Sequence, residues 1–297
     1  MQNAKVKFAA LGIATLTFIP VALGQGPAAQ PFTTHQLKPN IYYVEGGGGH
    51  SGVIVGDNGV IVVDAKTTLA GGKELLECIA KITPKPVNTV ILTHSDGDHV
   101  NGLAAFPAGI TIIAQENNKK EQDAAIAKGG RGAPPADHLP TKLVKNKENL
   151  TVDGVKLELR HWAPAHTSGD LVVFLPAEKV VFTGDLVTEN AYPLIHMEKN
   201  GSSDGWIQSA KGMIAFNAET YVTGHGKLQT KADLQKDLAD AEGRKAMIKK
   251  MVAEGKSLQQ IKDAVGEKPQ PPAAPGGPPV FPTYTETTYQ EITGKKS

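Results

Sequence analysis

The 297-residue chain has a single cysteine, Cys78, which excludes an internal disulfide. Cys78 lies within residues 73–82, where Leu75, Leu76, Ile79 and Ile82 recur at helical spacing, so it reads as a buried helix residue. It is also far from the N-terminal segment and cannot carry a lipoprotein anchor. Aromatic residues are scarce at 5%, and hydrophobic content is ordinary at 40%, which fits a soluble globular chain. Neither sign of charge is in excess. With 31 Lys and Arg against 30 Asp and Glu, the chain has no basic surplus to hold nucleic acid or anionic lipid. Long apolar runs are missing apart from residues 8–23, which are too short and too Thr-interrupted to span a bilayer. Lys5 and Lys7 precede that run and Ala22-Leu23-Gly24 follows it, so residues 1–24 read as an export signal. The expected mature protein is periplasmic or secreted, carries no stable membrane anchor and sits near a net charge of −1.

From residue 41 to residue 64, short β-branched runs alternate with glycine, and Gly56-Asp57-Asn58-Gly59 supplies a turn, so the segment reads as a hairpin. A helix over 72–82, stopped by Pro84 and Pro86, precedes a buried strand at 87–93. A strand at 110–114, a helix at 116–127 and a Gly- and Pro-rich loop at 129–140 complete the first half. Further strands are expected near 155–161, 171–175, 180–183 and 220–223. Ser203 or Asp204 is expected to cap a helix running to 216. Charged helix follows over 231–254, and Ser257-Leu258-Gln259-Gln260 has the form of a capping box. Prolines make 268–282 extended, and the Thr and Tyr alternation at 284–292 predicts an edge strand or a loose tail. Strands mixed with helices, with polar residues gathered at strand ends, give an α/β (α+β) chain with two sheets covered by helices.

The densest chemistry is His94-Ser95-Asp96-Gly97-Asp98-His99, placed directly after the apolar run Val90-Ile91-Leu92-Thr93. Four of its six side chains can bind metal. Unpaired carboxylates this close would repel one another, so the loop predicts one or two metal ions. Ala165-His166-Thr167-Ser168-Gly169-Asp170, Thr183-Gly184-Asp185 and Gly224-His225-Gly226 follow in order, and Val63-Asp64 precedes.

This series of motifs, over roughly residues 40–230, resembles the metallo-β-lactamase superfamily. The resemblance implies a four-layer αββα sandwich as a catalytic domain at 33–230; beyond it the residues themselves read as C-terminal helices at 231–267 and a Pro-rich linker and tail at 268–297. It implies two divalent metal ions, zinc first and iron or manganese as alternatives. His94, Asp96 and His166 would hold the first ion, Asp98, His99 and His225 the second, and Asp185 would bridge. Such ions, about 3.5–4 Å apart, can lower the pKa of a shared water and stabilise the oxyanion formed on attack. The implied function is an exported hydrolase whose metal-bound hydroxide attacks a carbonyl (lactam, lactone, thioester) or a phosphoester. Asp98 would orient the attacking group, and Asp64 would orient a ligand or the metal loop.

Asp96 departs from the superfamily's usual His-x-His-x-Asp-His loop, since it stands where the second His belongs. Three carboxylates then bring two divalent ions and a hydroxide close to neutral, and a hard oxygen donor favours iron or manganese over zinc. A di-iron oxidoreductase or sulfur dioxygenase of the same fold is the alternative this suggests. A non-catalytic, metal-stabilised binding protein whose tail docks a partner is the other. Asp185 resembles the bridging Asp of glyoxalase II and lactonases more than the Cys or Ser of true β-lactamases, so β-lactamase activity is not the favoured reading. The expected partner is a small-molecule substrate. His50, in a mobile Gly46–Gly52 flap, with Tyr192, His196 and Lys199 in a loop after Asp185, are the candidate substrate contacts. His35, His138 and His161 read as structural or surface residues.

Overall fold

The computed structural model of the protein describes residues 31–129, 134, 136–190, 192–272 and 280–294. The expected export signal, and parts of the 129–140 loop and of the Pro-rich segment, lie outside the described residues. Seven strands form one sheet in chain order: β1 (Thr33–Lys38), β2 (Ile41–Glu45), β3 (Ser51–Val55), β4 (Val60–Val63), β5 (Val87–Ile91), β6 (Thr111–Gln115) and β7 (Lys142–Val144). Pairing is antiparallel from β1 to β4 and parallel from β4 to β7. Five strands form the second: β8 (Lys147–Val152), β9 (Val155–Arg160), β10 (Val172–Leu175), β11 (Val180–Thr188) and β12 (Thr220–His225). These pair antiparallel except for the parallel edge pair β11 and β12. The helices are α1 (Leu69–Ile82), α2 (Gly97–Val100), α3 (Glu116–Ala127), α4 (Ser203–Ile214), α5 (Lys231–Ala253), α6 (Leu258–Ala264) and α7 (Tyr284–Thr293).

Side-chain alternation along the strands sorts the core into layers. In β4, Ile61 and Val63 pack inward against Leu157, Leu159, Val173 and Phe182 of the second sheet. Val60 and Val62 point the other way, onto Leu75, Cys78 and Ile79 of α1. Beyond the second sheet, Phe174, Val181 and Tyr221 meet Trp206 and Met213 of α4 together with Leu234, Ala241 and Tyr284. The order is helix, sheet, sheet, helix, the four-layer αββα sandwich. Fully burying one such Val, Leu or Ile stabilises by about 1.5–3 kcal/mol. A one-residue slip of β4 would exchange its two apolar sets between layers, so its register is strongly fixed.

Several expected elements shift. Residues 41–64 form a three-stranded meander, not a single hairpin, because the glycine run at 46–49 turns the chain between β2 and β3. α1 begins earlier than residue 72 because the Thr68 side chain accepts from the Gly71 N–H as its N-cap. Ser202, not Ser203 or Asp204, caps α4, accepting from the Gly205 N–H. The capping box at Ser257 and Gln260 forms as expected. The tail is the clearest correction: 284–293 is a helix, neither an edge strand nor loose. Thr283 and Glu286 form a capping box, and Tyr284, Thr285, Thr287 and Thr288 are buried. The Tyr284 hydroxyl donates to Ala241 O at 3.1 Å, and Glu291 accepts from the backbone N–H of Ser203 at 2.8 Å. The alternating Thr and Tyr residues thus serve one helix face.

Candidate metal centre

β5 delivers the loop that carries the ligand candidates, and the adjoining end of β4 braces it. Asp64 follows β4 with φ 62°, and its buried carboxylate accepts from Thr93 N at 2.8 Å and Thr93 Oγ1 at 2.6 Å. The same carboxylate accepts from His99 Nδ1 at 2.8 Å. Thr93 Oγ1, its own hydrogen committed to Asp64, accepts from His94 Nδ1 at 2.9 Å. One aspartate therefore fixes both rings with Nδ1 protonated, which leaves both Nε2 lone pairs facing inward. His166 is set likewise by donating from Nδ1 to Leu194 O at 2.9 Å.

The opposing wall comes from the second sheet. Register in β11 breaks between Phe182 and Gly184 and again before Thr188, which turns Asp185 toward the loop. Gly184 takes φ 53°, and a Cβ there would stand 2.3 Å from Thr93 Oγ1, so only glycine lets the two sheets approach this closely. Asp185 Oδ1 lies 3.2 Å from His99 Nε2, and Asp185 Oδ2 lies 3.5 Å from His225 Nε2 and 3.9 Å from His166 Nε2. Asp98 Oδ2 lies 3.0 Å from His225 Nε2 and 3.7 Å from His99 Nε2. Asp96 Oδ2 lies 3.0 Å from His166 Nε2 and 3.6 Å from His94 Nε2. All seven expected ligands meet at one end of the sandwich.

Three buried atoms in the centre, His94 Nε2, His99 Nε2 and Asp185 Oδ1, have no hydrogen-bond partner. Leaving such groups unpaired costs about 1–3 kcal/mol each. Imidazole lone pairs facing carboxylate oxygens form a donor set without protons of its own, which suits divalent cations. Without bound cations the carboxylates would draw protons onto these rings. Burial opposes a charged His166 ring, yet its hydrogen bond to Asp96 lifts it to about 9. Hydrogen bonds to Asp185 and Asp98 raise His225 to about 9. Burial lowers His94 well below the ordinary range, with the neighbouring His99 adding to the effect. A cation entering this cluster would displace protons.

Residues 44–225 match the profile of the metallo-beta-lactamase superfamily. The chain belongs to that superfamily. Among relatives, 2,4-dinitroanisole O-demethylase subunit alpha of Nocardioides sp. (strain JS1661) is 25% identical over 196 residues, covering 65% of this chain and 57% of its own length. Metallo-beta-lactamase type 2 of Bacillus sp. (strain 170) is 27% identical over 179 residues, covering 58% and 65%. Among solved structures, the stereoselective inverting sec-alkylsulfatase of Pseudomonas sp. superposes with a TM-score of 0.69 at 18% identity, over 89% of this chain and 50% of that one. The chain thus spans less than two thirds of each of these relatives. The superfamily's fold is common ground, while the relatives named differ in what they act on.

The candidate substrate contacts divide. His196 lines a cleft of about 610 Å³ over the centre, together with Asp96, Asp98, Asp185, Leu194, Lys199, His225 and Phe281. His50 does not line it. Its ring donates from Nδ1 to Thr223 O at 3.0 Å and its backbone N–H donates to Gly224 O at 2.8 Å, so it staples the glycine loop to β12. Burial depresses its pKa to about 4. The glycines serve approach and not a flap: a Cβ on Gly49 would stand 2.2 Å from the His99 ring. Tyr192 also faces elsewhere, stacked on Tyr284 at 5.6 Å and under the Arg244 guanidinium at 4.4 Å. His138 donates to Phe106 O and His161 to Asp170 O, as structural residues do.

Two lysines carry roles that the sequence did not disclose. Lys66, fully buried and at φ 76°, donates from Nζ to Val44 O at 2.6 Å and Gly49 O at 2.8 Å, tying down the glycine loop. Lys199 pairs with Asp96 Oδ1 and donates to Ser95 Oγ at 3.0 Å. A lysine two residues after Asp64, close behind the end of β4, was the only available signal for the first.

Proposed function

We propose that the chain is an exported, metal-dependent hydrolase that cleaves a carbonyl compound (lactam, lactone or thioester) or a phosphoester at a dinuclear centre. The observation that carries this is the convergence of His94 Nε2, His99 Nε2 and Asp185 Oδ1, all buried and without hydrogen-bond partners, the last two facing each other at 3.2 Å. Two divalent ions bound there would supply Lewis acidity and water activated near neutral pH. His94, Asp96 and His166 would hold one, Asp98, His99 and His225 the other, with Asp185 between. Zinc fits the imidazole-rich set, and Asp96 leaves room for iron or manganese. Asp98, partly exposed to the cleft with Oδ2 3.0 Å from His225 Nε2, would both hold the second ion and orient the attacking group. Asp64 keeps His99 and Thr93 in register, and Leu194 with Phe281 gives the cleft an apolar side for a substrate body.

A second reading, a di-iron oxidoreductase or sulfur dioxygenase, draws on the Asp96 carboxylate set against His94 and His166. Elemental analysis of the chain purified without chelator, joined to a screen of lactams, lactones, thioesters, phosphoesters and sulfate esters, tests both. About two zinc ions per chain with turnover of one class is the expected result. Iron with oxygen consumption would replace the hydrolase by the second reading, and a chain that binds no divalent metal would overturn both.

A further inference from the structure

We infer that His196 is a ligand of the first metal ion, supplying the third imidazole that Asp96 displaces. The inference rests on the dinuclear reading above. His196 Nε2 lies 3.2 Å from Asp96 Oδ2, the same oxygen that faces His166 Nε2 at 3.0 Å and His94 Nε2 at 3.6 Å. Three imidazole nitrogens from three separate segments converge on one carboxylate oxygen. Asp96, His166 and His196 each offer a donor atom within 4.8 Å of the other two.

The ring is held as a ligand's ring is held. His196 Nδ1 donates to Glu198 Oε1, which turns the Nε2 lone pair inward as Asp64 does for His99. Its faces are fixed edge-on by His166 at 4.8 Å and Phe281 at 4.4 Å, and the residue is 4% exposed. Its backbone is fixed as well, since His196 N donates to His166 O at 2.8 Å while its own carbonyl accepts from Gly201 N at 2.9 Å. A contact meant for varied substrates would not need locking on every side. A reason for a fourth donor is also present. Lys199 occupies Asp96 Oδ1, so this carboxylate has one oxygen left for a cation, and His94, His166, that oxygen and a shared Asp185 leave a place for a further imidazole on an ion that takes four or more ligands.

The test counts imidazoles. The full chain is loaded with cadmium-113 and the metal is correlated with histidine ring protons by NMR, for the wild type and for His196→Ala. The expected wild-type spectrum couples one cadmium signal to three imidazoles, His94, His166 and His196, and the other to His99 and His225. In His196→Ala the first signal loses one set, and chelator competition shows at least about a tenfold loss of affinity at that ion only. Two imidazoles on each ion in the wild type would overturn the assignment while leaving the dinuclear reading intact. If the chain took up no cadmium, the dinuclear reading itself would fall and this inference with it. The wild-type count decides the matter even should the variant fold poorly.

Discussion

The ammonium of Lys199 rests on Oδ1 of Asp96, while Oδ2 of the same carboxylate faces His94, His166 and His196. Asp96 stands at the N-cap of α2 but makes no capping hydrogen bond, so its charge is spent on these partners and not on the helix. With an Asp at this position the centre carries one negative charge more than with a His. Lys199 returns one positive charge at the rim. The pair therefore brings the electrostatic sum back to that of an all-histidine loop, while keeping an oxygen donor in place.

Replacing Lys199 by Met should tighten the first ion. The substitution removes a unit positive charge that repels an incoming divalent cation and frees Asp96 Oδ1. At the rim, where water screens such repulsion, an effect of about tenfold in affinity, about 1.4 kcal/mol, is expected. Competition with a chromophoric chelator measures it. Weaker binding in Lys199→Met would mean that the lysine serves to orient Asp96 and does not offset its charge.

Asp98→Asn should lower kcat by about 10²–10⁴ while leaving the fold in place, because a neutral carboxamide replaces the carboxylate that would hold the second ion and orient the attacking group. Asp98 is partly exposed at the cleft and braces no core element, so the thermal midpoint should move little. Steady-state kinetics on whichever substrate the screen identifies, beside a circular dichroism melt, separates the two quantities. Turnover equal to wild type would remove Asp98 from the chemistry.

The metal loop was legible in the sequence because its ligands are local: four candidate side chains in six residues after an apolar strand need no tertiary knowledge. The layers were legible because the unbroken apolar run Val60–Val63 and helical spacing around Cys78 report burial directly. Three strands escaped. β1, β7 and β8 are all sheet edges, and their polar residues, as in Lys147–Val152, look like loop until one face is seen to meet a neighbour. His196 could be singled out but not placed, since its relation to Asp96 spans a hundred residues and depends on Leu194 and Phe281 closing the same cleft. The glycines at 46–49 suggested freedom, whereas Gly49 is there to let the chain lie on His99. Composition marks such positions but does not say which use of glycine applies.

Lys66 predicts a pH dependence of stability with a definite sign. Burial lowers its pKa from the ordinary 10.5 to about 7, against the partly offsetting pull of Asp64. Between those values the unfolded chain holds a proton that the folded chain lacks, so stability gained from this group rises with pH from about 7 toward 10. Below 7 both states are charged and the full cost of burying the ammonium stands. Relative to Lys66→Met, the wild type should therefore gain about 2–4 kcal/mol between pH 6 and pH 10, at about 1.4 kcal/mol per unit. Urea unfolding of both proteins across that range reads the difference. Parallel profiles would show that the two carbonyl acceptors keep Lys66 charged throughout.

The C-terminal segment enters the cleft and the core through different residues, which makes its two contributions separable. Phe281 lines the cleft and meets the His196 ring at 4.4 Å, while Tyr284, three residues on, is buried in the outer layer with Trp206 and Leu234. Phe281→Ala removes apolar wall from the cleft, so KM for a substrate with an apolar body should rise about 5–30-fold, about 1–2 kcal/mol of binding, with the unfolding midpoint nearly unchanged. Tyr284→Ala opens a cavity and strips the hydrogen bond to Ala241 O, and should cost about 3–5 kcal/mol of stability. Kinetics and denaturant unfolding on the two variants give four numbers. A tail that served only as a spacer would leave all four at wild-type values. The packing found for α7 predicts instead that the first variant moves KM and the second moves stability.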